Sequence, residues 1–382
     1  MAVARTSPAV PHDLPATQFA VPDAPLRMYR GGVVESPVIA YETWGTLNAA
    51  RDNVIVLFTG LSPSAHAASS PLDLKPGWWE PMIGPGKAID TGRFFVVCVN
   101  SLGSPYGSSS PVSIDPRTGR RFGIAFPEIA VEDIARGGHE VMRALGIERV
   151  ACTIGASLGG CTVLAFAVQF PQMVEHVITI SGATSANPFA IALRSLQREL
   201  VRSDPGWRGG AYEPGHGPKQ GLRLARKLGT ITYRSHEEWD QRFGRQRIEA
   251  TASMPGDFGP RFEVEAYLEH QGLRFAETYD ANAYLYLSRA SDLFDLAEHG
   301  GGSLATAVAK FRMKRTLVLG VTSDMLYTID QQRSITQLLR DAGLAVEFQE
   351  FPSPQGHDSF LIDYARFDPA VRGFLARIST TS

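Results

Sequence analysis

A serine, an aspartate and a histidine, far apart along 382 residues, carry the most reactive chemistry this sequence offers. Ser157 lies in Gly155-Ala156-Ser157-Leu158-Gly159, a G-x-S-x-G run. Asp324 closes Val321-Thr322-Ser323-Asp324, and His357 sits in Gln355-Gly356-His357-Asp358. A serine hydroxyl is a weak nucleophile at neutral pH, so a base must take its proton as it attacks a carbonyl. His357 is expected to be that base, with Asp324 fixing the imidazole tautomer and stabilising the imidazolium. The developing oxyanion needs donors. The backbone N–H groups of Leu158, beside the nucleophile, and of Leu61, in the Gly60-Leu61-Ser62-Pro63 loop, are expected to supply them. His66 lies on that same loop and is read as structural.

Residues so scattered act together only if the fold assembles them. Arg149 to Ile154 is a short apolar, partly β-branched run that reads as a buried strand, and Cys161 to Phe170 has helical character up to Pro171. Strand, G-x-S-x-G and helix in that order make a nucleophile elbow. Small residues are required there, because a Cβ at Gly155 or Gly159 would collide with the neighbouring strand and helix. The turn also aims a helix N-terminus at the reacting carbonyl. Five loose positions arise by chance in a chain with 37 glycines. The flanking elements, and the chain order Ser, Asp, His, give this copy its weight.

The remaining elements follow the same alternation. Val38 to Trp44, Asn53 to Thr59, Phe94 to Asn100, Val177 to Ser181, Arg315 to Gly320 and Val346 to Phe351 read as strands. Glu132 to Leu145, Asp330 to Ala342 and a terminal segment read as helices. Between residues 183 and 302 the alternation stops. That stretch is mostly helical, with Gly/Pro-rich breaks at Gly209 to Pro218 and Pro255 to Pro260. The expected architecture is an α/β fold of the α/β-hydrolase type, a mostly parallel, doubly wound sheet with an inserted helical lid. Residues 1–32 form a loose lead-in, 33–182 and 303–382 the core, and 183–302 the lid.

Composition narrows the function. Hydrophobic content of 44% and charged content of 20% are those of an ordinary soluble globular protein. A formal charge of −2 argues against nucleic acid or an anionic membrane as partner. Cys98, Cys152 and Cys161 match no metal spacing and lie in apolar contexts, so buried free thiols are expected, with no metal site. No apolar run reaches membrane-spanning length, and the Ala/Pro-rich start lacks a signal-peptide block, so a cytoplasmic location is expected.

Longer motifs carry a family resemblance. Tyr41-Glu42-Thr43-Trp44-Gly45-Thr46-Leu47, Gly84-Pro85-Gly86-Lys87-Ala88-Ile89-Asp90 and Val99-Asn100-Ser101-Leu102-Gly103-Ser104 come first. Ala225-Arg226-Lys227-Leu228-Gly229, Thr232-Tyr233-Arg234-Ser235 and Tyr284-Leu285-Tyr286-Leu287-Ser288-Arg289 follow, ending with the Gln355 to Asp358 turn. With these, the chain from about Val33 to Phe374 resembles the homoserine O-acyltransferases of the α/β-hydrolase superfamily. The Gly60-Leu61-Ser62-Pro63 loop and the run from Ile191 to Glu199 resemble the serine O-succinyltransferase branch. The resemblance implies a ping-pong transfer from an acyl-CoA co-substrate through an acyl-Ser157 to L-serine or L-homoserine, with no permanently bound cofactor. It also implies that Arg226 and Asp358 hold the zwitterionic amino acid, one cation and one anion for its two charges, and that the protein is a homodimer built through the lid. One departure concerns the acyl group. Succinyl-using homoserine enzymes carry Arg two residues after the triad Asp, where this chain has Leu326. A succinyl carboxylate then needs another cation, for which Arg194 and Arg198 are candidates; otherwise the donor is acetyl-CoA.

Other classes fit the same residues. The alternative transferase is a homoserine O-acetyltransferase. A hydrolase with the same triad would differ only in letting water collect the acyl group, a matter of lid closure and amino-acid contacts. A non-catalytic scaffold would lack a triad member, and none is missing.

Overall fold

The computed structural model describes residues 14–248 and 258–381. Eight strands form the main sheet. They are β1 (Gln18–Ala20), β2 (Ile39–Trp44), β3 (Val54–Phe58), β4 (Phe95–Val99), β5 (Cys152–Ala156), β6 (His176–Ile180), β7 (Arg315–Val321) and β8 (Val346–Phe351). Their spatial order is β1-β2-β4-β3-β5-β6-β7-β8. From β4 to β8 every neighbouring pair is parallel, while β2 runs antiparallel to both β1 and β4.

The central strands are apolar without alternation because both faces are covered. Val54, Val56 and Phe58 of β3 pack under α1 (Val131–Ala144) and α2 (Leu158–Gln169). Ile55 and Leu57 of the same strand face Phe367, Val371 and Phe374 of the last long helix, Tyr364–Ala376. Helix α2 is apolar nearly all round, and Leu158 to Val168 are all buried, so its sequence demands an interior position. The nucleophile turn is therefore held from several sides. Strand and helix bounds match expectation to within one or two residues, except that β5 starts at Cys152, three residues later than Arg149, and α2 starts at Leu158, three residues earlier than Cys161.

The lead-in is not loose where it is described. Gln18–Ala20 adds an antiparallel edge strand on β2, and Leu26–Arg27 pairs with Val33–Val34. Three residues are too few to give an alternating signal, and backbone pairing at a sheet edge needs none. The part of the expected lead-in before residue 14 lies outside the described residues, as do the first three residues of the expected Pro255 to Pro260 break.

The insertion between β6 and β7 contains α3 (Pro188–Ser203), α4 (Lys219–Thr232), α5 (His236–Arg242), α6 (Glu263–Thr278), α7 (Ala281–Leu293) and α8 (Leu304–Val308). Helix α3 has Asn187 as N-cap, its side chain accepting the Ala190 N–H at 2.8 Å, and Pro188 in its first turn. The Asn187 amide also donates to the Leu326 carbonyl at 2.8 Å, which ties the lid to the loop after Asp324. The insertion has two parts. Val201, Leu222, Ala225, Phe275, Tyr279 and Tyr284 form a small core of its own, whereas Leu287, Ala290, Phe294, Leu296, Ala307 and Val308 join the main core. No helix of the described residues is long and apolar enough to cross a membrane.

Candidate active site

Ser157 occupies the turn between β5 and α2 with φ 58° and ψ −122°, a conformation an L residue holds only under constraint. Its N–H donates to the Ile180 carbonyl at 3.0 Å. A Cβ on Gly155 would lie 2.1 Å from the Gly159 carbonyl oxygen, and one on Gly159 would lie 2.3 Å from that of Phe58. Neither position accepts a side chain, as the motif predicts, and the collisions are with the helix and the neighbouring strand respectively.

The three dispersed residues meet. Ser157 Oγ is 2.8 Å from His357 Nε2, and His357 Nδ1 is 2.7 Å from Asp324 Oδ2. The other Asp324 oxygen accepts the N–H groups of Leu326 at 2.9 Å and Tyr327 at 3.0 Å, which fixes the carboxylate. His357 and Asp324 are both buried, and the Tyr327 ring stacks on the imidazole with centroids 5.1 Å apart. Burial disfavours the imidazolium, but the charge and hydrogen bond of Asp324 and the charge of Asp358 prevail, so the His357 pKa lies above its ordinary 6.5. The arrangement can pass the Ser157 proton to Nε2 and hold the resulting cation.

Ser157 and His357 face a tight cavity whose wall also includes Leu61, Leu158, Leu193, Arg194 and Tyr233. Leu158 is the first residue of α2, so its N–H has no intrahelical acceptor. Leu61 belongs to the loop after β3, and its carbonyl accepts the hydroxyl of Tyr279, the residue following α6, at 2.8 Å. Of Gly60, Leu61, Ser62 and Pro63, only Leu61 lines the cavity. His66 is clamped instead of exposed to substrate. Nδ1 faces Glu42 Oε2 at 2.9 Å and Nε2 faces the Lys75 carbonyl at 2.8 Å. The Glu42 hydrogen bond pushes its pKa up to about 9 against the effect of burial, which fits the structural reading.

Arg226 and Asp358 do not line this cavity. The Arg226 guanidinium sits over the rings of Phe275 (4.8 Å) and Tyr233 (5.5 Å), and its buried Nε has no hydrogen-bond partner among the described residues. Arg234 Nε stands 3.2 Å from Asp358 Oδ2. Burial raises the Asp358 pKa, opposed by Arg234, His357 and Arg226. The Asp358 N–H donates to the Tyr233 carbonyl at 3.2 Å, so Tyr233 connects both residues to the cavity. Sequence reasoning assigned no role to Tyr233, although it stands in the Thr232 to Ser235 motif; only the fold shows it beside His357, with ring centroids 6.0 Å apart.

The two acyl-group candidates are separated. Arg194 lines the catalytic cavity, while Arg198, one turn along α3, does not. Both bind Asp292 of α7, which the sequence did not single out: Arg194 Nε to Oδ1 at 2.5 Å and an Arg198 terminal nitrogen to Oδ2 at 2.7 Å. Two buried cations thus share one carboxylate. Leu326 is buried and lines the cavity, so the position where succinyl-using homoserine enzymes carry Arg is an apolar part of the wall.

Comparisons with known proteins bear on the family and the fold. The family model described as alpha/beta hydrolase fold matches residues 53–364. A serine O-succinyltransferase of Litchfieldella anticariensis is 55% identical over 95% of this chain and 99% of its own. An L-serine/homoserine O-acetyltransferase of Streptomyces lavendulae is 51% identical over 96% of this chain and 98% of its own. The crystal structure of a homoserine O-acetyltransferase from Bacillus anthracis superposes with a TM-score of 0.85 at 29% identity, over 96% of this chain and 99% of that one. With fold, elbow and triad order already in place, these similarities assign the chain to the α/β-hydrolase fold family and, within it, to the homoserine O-acyltransferase family that includes the serine O-succinyltransferases.

Proposed function

We propose that this protein is an L-serine O-succinyltransferase working by a ping-pong route. Ser157 Oγ attacks the thioester carbonyl of succinyl-CoA while His357 Nε2 takes its proton, and the N–H groups of Leu61 and Leu158 hold the oxyanion. The thiol of CoA leaves with that proton, and succinyl-Ser157 remains. The hydroxyl of L-serine then loses its proton to His357 and attacks the ester carbonyl; the bond to Ser157 Oγ breaks, His357 returns the proton to Oγ, and O-succinylserine departs. Arg226 takes the carboxylate of the amino acid and Asp358 its ammonium, reached past Tyr233. The single observation that carries the reading is the hydrogen-bonded series Ser157–His357–Asp324, ending on a hydroxyl in a lid-covered cavity.

The succinyl assignment is supported by Arg194 in the cavity wall, since two arginines on Asp292 leave one positive charge for a second carboxylate. Homologues at 50–55% identity with that name support it further. A second reading, acetyl transfer to L-serine or L-homoserine, is favoured by Leu326 in the same wall and by the Streptomyces relative. Serine and homoserine differ by one methylene, worth about 1–3 kcal/mol in a pocket, so homoserine is expected to be a slower acceptor. The product suits a cytoplasmic route to cysteine. A homodimer through the lid is supported by exposed Phe189 and Leu196, seven residues apart on α3, and Leu224 and Ile231, seven apart on α4.

Succinyl-CoA and acetyl-CoA, each with L-serine, L-homoserine or no acceptor, form the deciding experiment, read by mass spectrometry. O-succinylserine is expected as the main product. Acetyl products alone overturn the donor assignment, and acceptor-independent consumption of acyl-CoA would make the protein a hydrolase.

A further inference from the structure

Ser195, Arg198, Glu199, Arg202 and Ser203 share one face of α3, at spacings of three, four, seven and eight residues. With Arg289 of α7 they line an open depression of ≈ 410 Å³. Its walls hold three guanidinium groups and two hydroxyls against a single carboxylate. Two of the guanidinium groups are held in place: Arg198 by Asp292 (2.7 Å) and the Ser288 hydroxyl (2.8 Å), and Arg202 over the Trp207 ring at 5.6 Å. Arg289 is exposed, and its side chain has no ion pair or hydrogen bond among the described residues. Planar, fixed guanidinium forks suit phosphate oxygens, and fixing them beforehand lowers the ordering cost of binding.

The depression adjoins the catalytic cavity. Asp292 is the partition, one oxygen on Arg194 in the cavity wall and the other on Arg198 in the depression wall. From Arg194 to Arg202 the helix advances about 12 Å. An acyl-CoA has its thioester at one end and its phosphates at the other, joined by an extended pantetheine arm that covers such a distance. We infer that the depression lined by Arg198, Arg202 and Arg289 binds the phosphate groups of the acyl-CoA. This inference rests on the acyl-CoA reading above.

The test compares the wild type with Arg202→Ala, Arg289→Ala and the double variant, using succinyl-CoA, S-succinyl-pantetheine (which has no phosphate) and L-serine. The double variant is expected to raise KM for succinyl-CoA by about tenfold or more. Its kcat, its KM for L-serine, its rate with S-succinyl-pantetheine and its oligomeric state should match the wild type. Calorimetry with free CoA should show the same weakening, and inorganic pyrophosphate should compete with CoA on the wild type only. An unchanged KM for succinyl-CoA overturns the site, including where pyrophosphate alone still binds. So does an equal loss with the pantetheine donor, or a changed oligomeric state, which would make the depression a subunit contact. If the wild type transfers no acyl group but binds CoA through these arginines, the catalytic reading fails while the site stands.

Discussion

The hydroxyl of Tyr279, at the end of lid helix α6, donates a 2.8 Å hydrogen bond to the carbonyl of Leu61 on the oxyanion loop. Lid and core are thereby joined at the backbone whose N–H is proposed to hold the oxyanion. The bond constrains the peptide following Leu61 and so the orientation of the one before it. Tyr279→Phe keeps the ring packing on Phe275, at 4.8 Å, and removes the tether together with the hydroxyl's interaction with Ser104. A neutral hydrogen bond contributes about 0.5–1.5 kcal/mol, so kcat should fall about 3- to 10-fold with KM for L-serine little changed. Steady-state kinetics check this. A loss confined to KM would mean that the tether shapes binding and not the oxyanion.

Asp324→Asn preserves shape but replaces the acceptor facing His357 Nδ1, favouring the wrong imidazole tautomer. A decrease in kcat on the order of 10⁴-fold is expected, with circular dichroism and melting behaviour close to the wild type. Activity within tenfold of the wild type would mean that another group orients His357.

Acid should silence the enzyme through His357. The neutral imidazole is the base, and Asp324 and Asp358 favour its protonated form, so the acid limb of kcat/KM should have its midpoint above 6.5. Rates measured from pH 5 to 9 test this, and a midpoint below 6.5 would contradict the assigned electrostatics. Asp358→Asn removes one of the charges that raise the His357 pKa and should move the limb to lower pH.

Arg194→Gln should separate the two donor readings. If Arg194 receives the succinyl carboxylate, kcat/KM for succinyl-CoA falls on the order of 10²-fold while that for acetyl-CoA barely changes. Equal losses with both donors would point to collapse of the Arg194–Asp292–Arg198 cluster, which a melting curve would register.

His66 sets an alkaline limit to stability. Its folded-state pKa of about 9 stands above the ordinary 6.5, so its stabilisation is complete below pH 6.5 and is lost as pH rises through 9. A difference of that size corresponds to about 3 kcal/mol at most. Denaturant unfolding of the wild type should weaken between pH 7 and 9.5. His66→Gln should be less stable at pH 6.5 and show a flatter profile over the same range.

Much of this molecule is local and could be read from the chain. A central strand buried on both faces must be apolar throughout, as Val54 to Phe58 are, and a turn without room for a Cβ must use glycine, as at Gly155 and Gly159. The chain order of Ser157, Asp324 and His357 follows from the same kind of reasoning. What the chain could not reveal was anything requiring two distant segments to touch. Asp292 is one acidic residue among 39 until α7 packs beside α3 and places it between Arg194 and Arg198. Tyr279 is one aromatic among many until it meets Leu61, more than 200 residues earlier. The edge strand at Gln18 and the anchoring of Leu287 to Val308 in the main core were equally illegible. Periodicity reports how a segment meets an average interior, whereas pairing, partition and tethering depend on which particular neighbour arrives there.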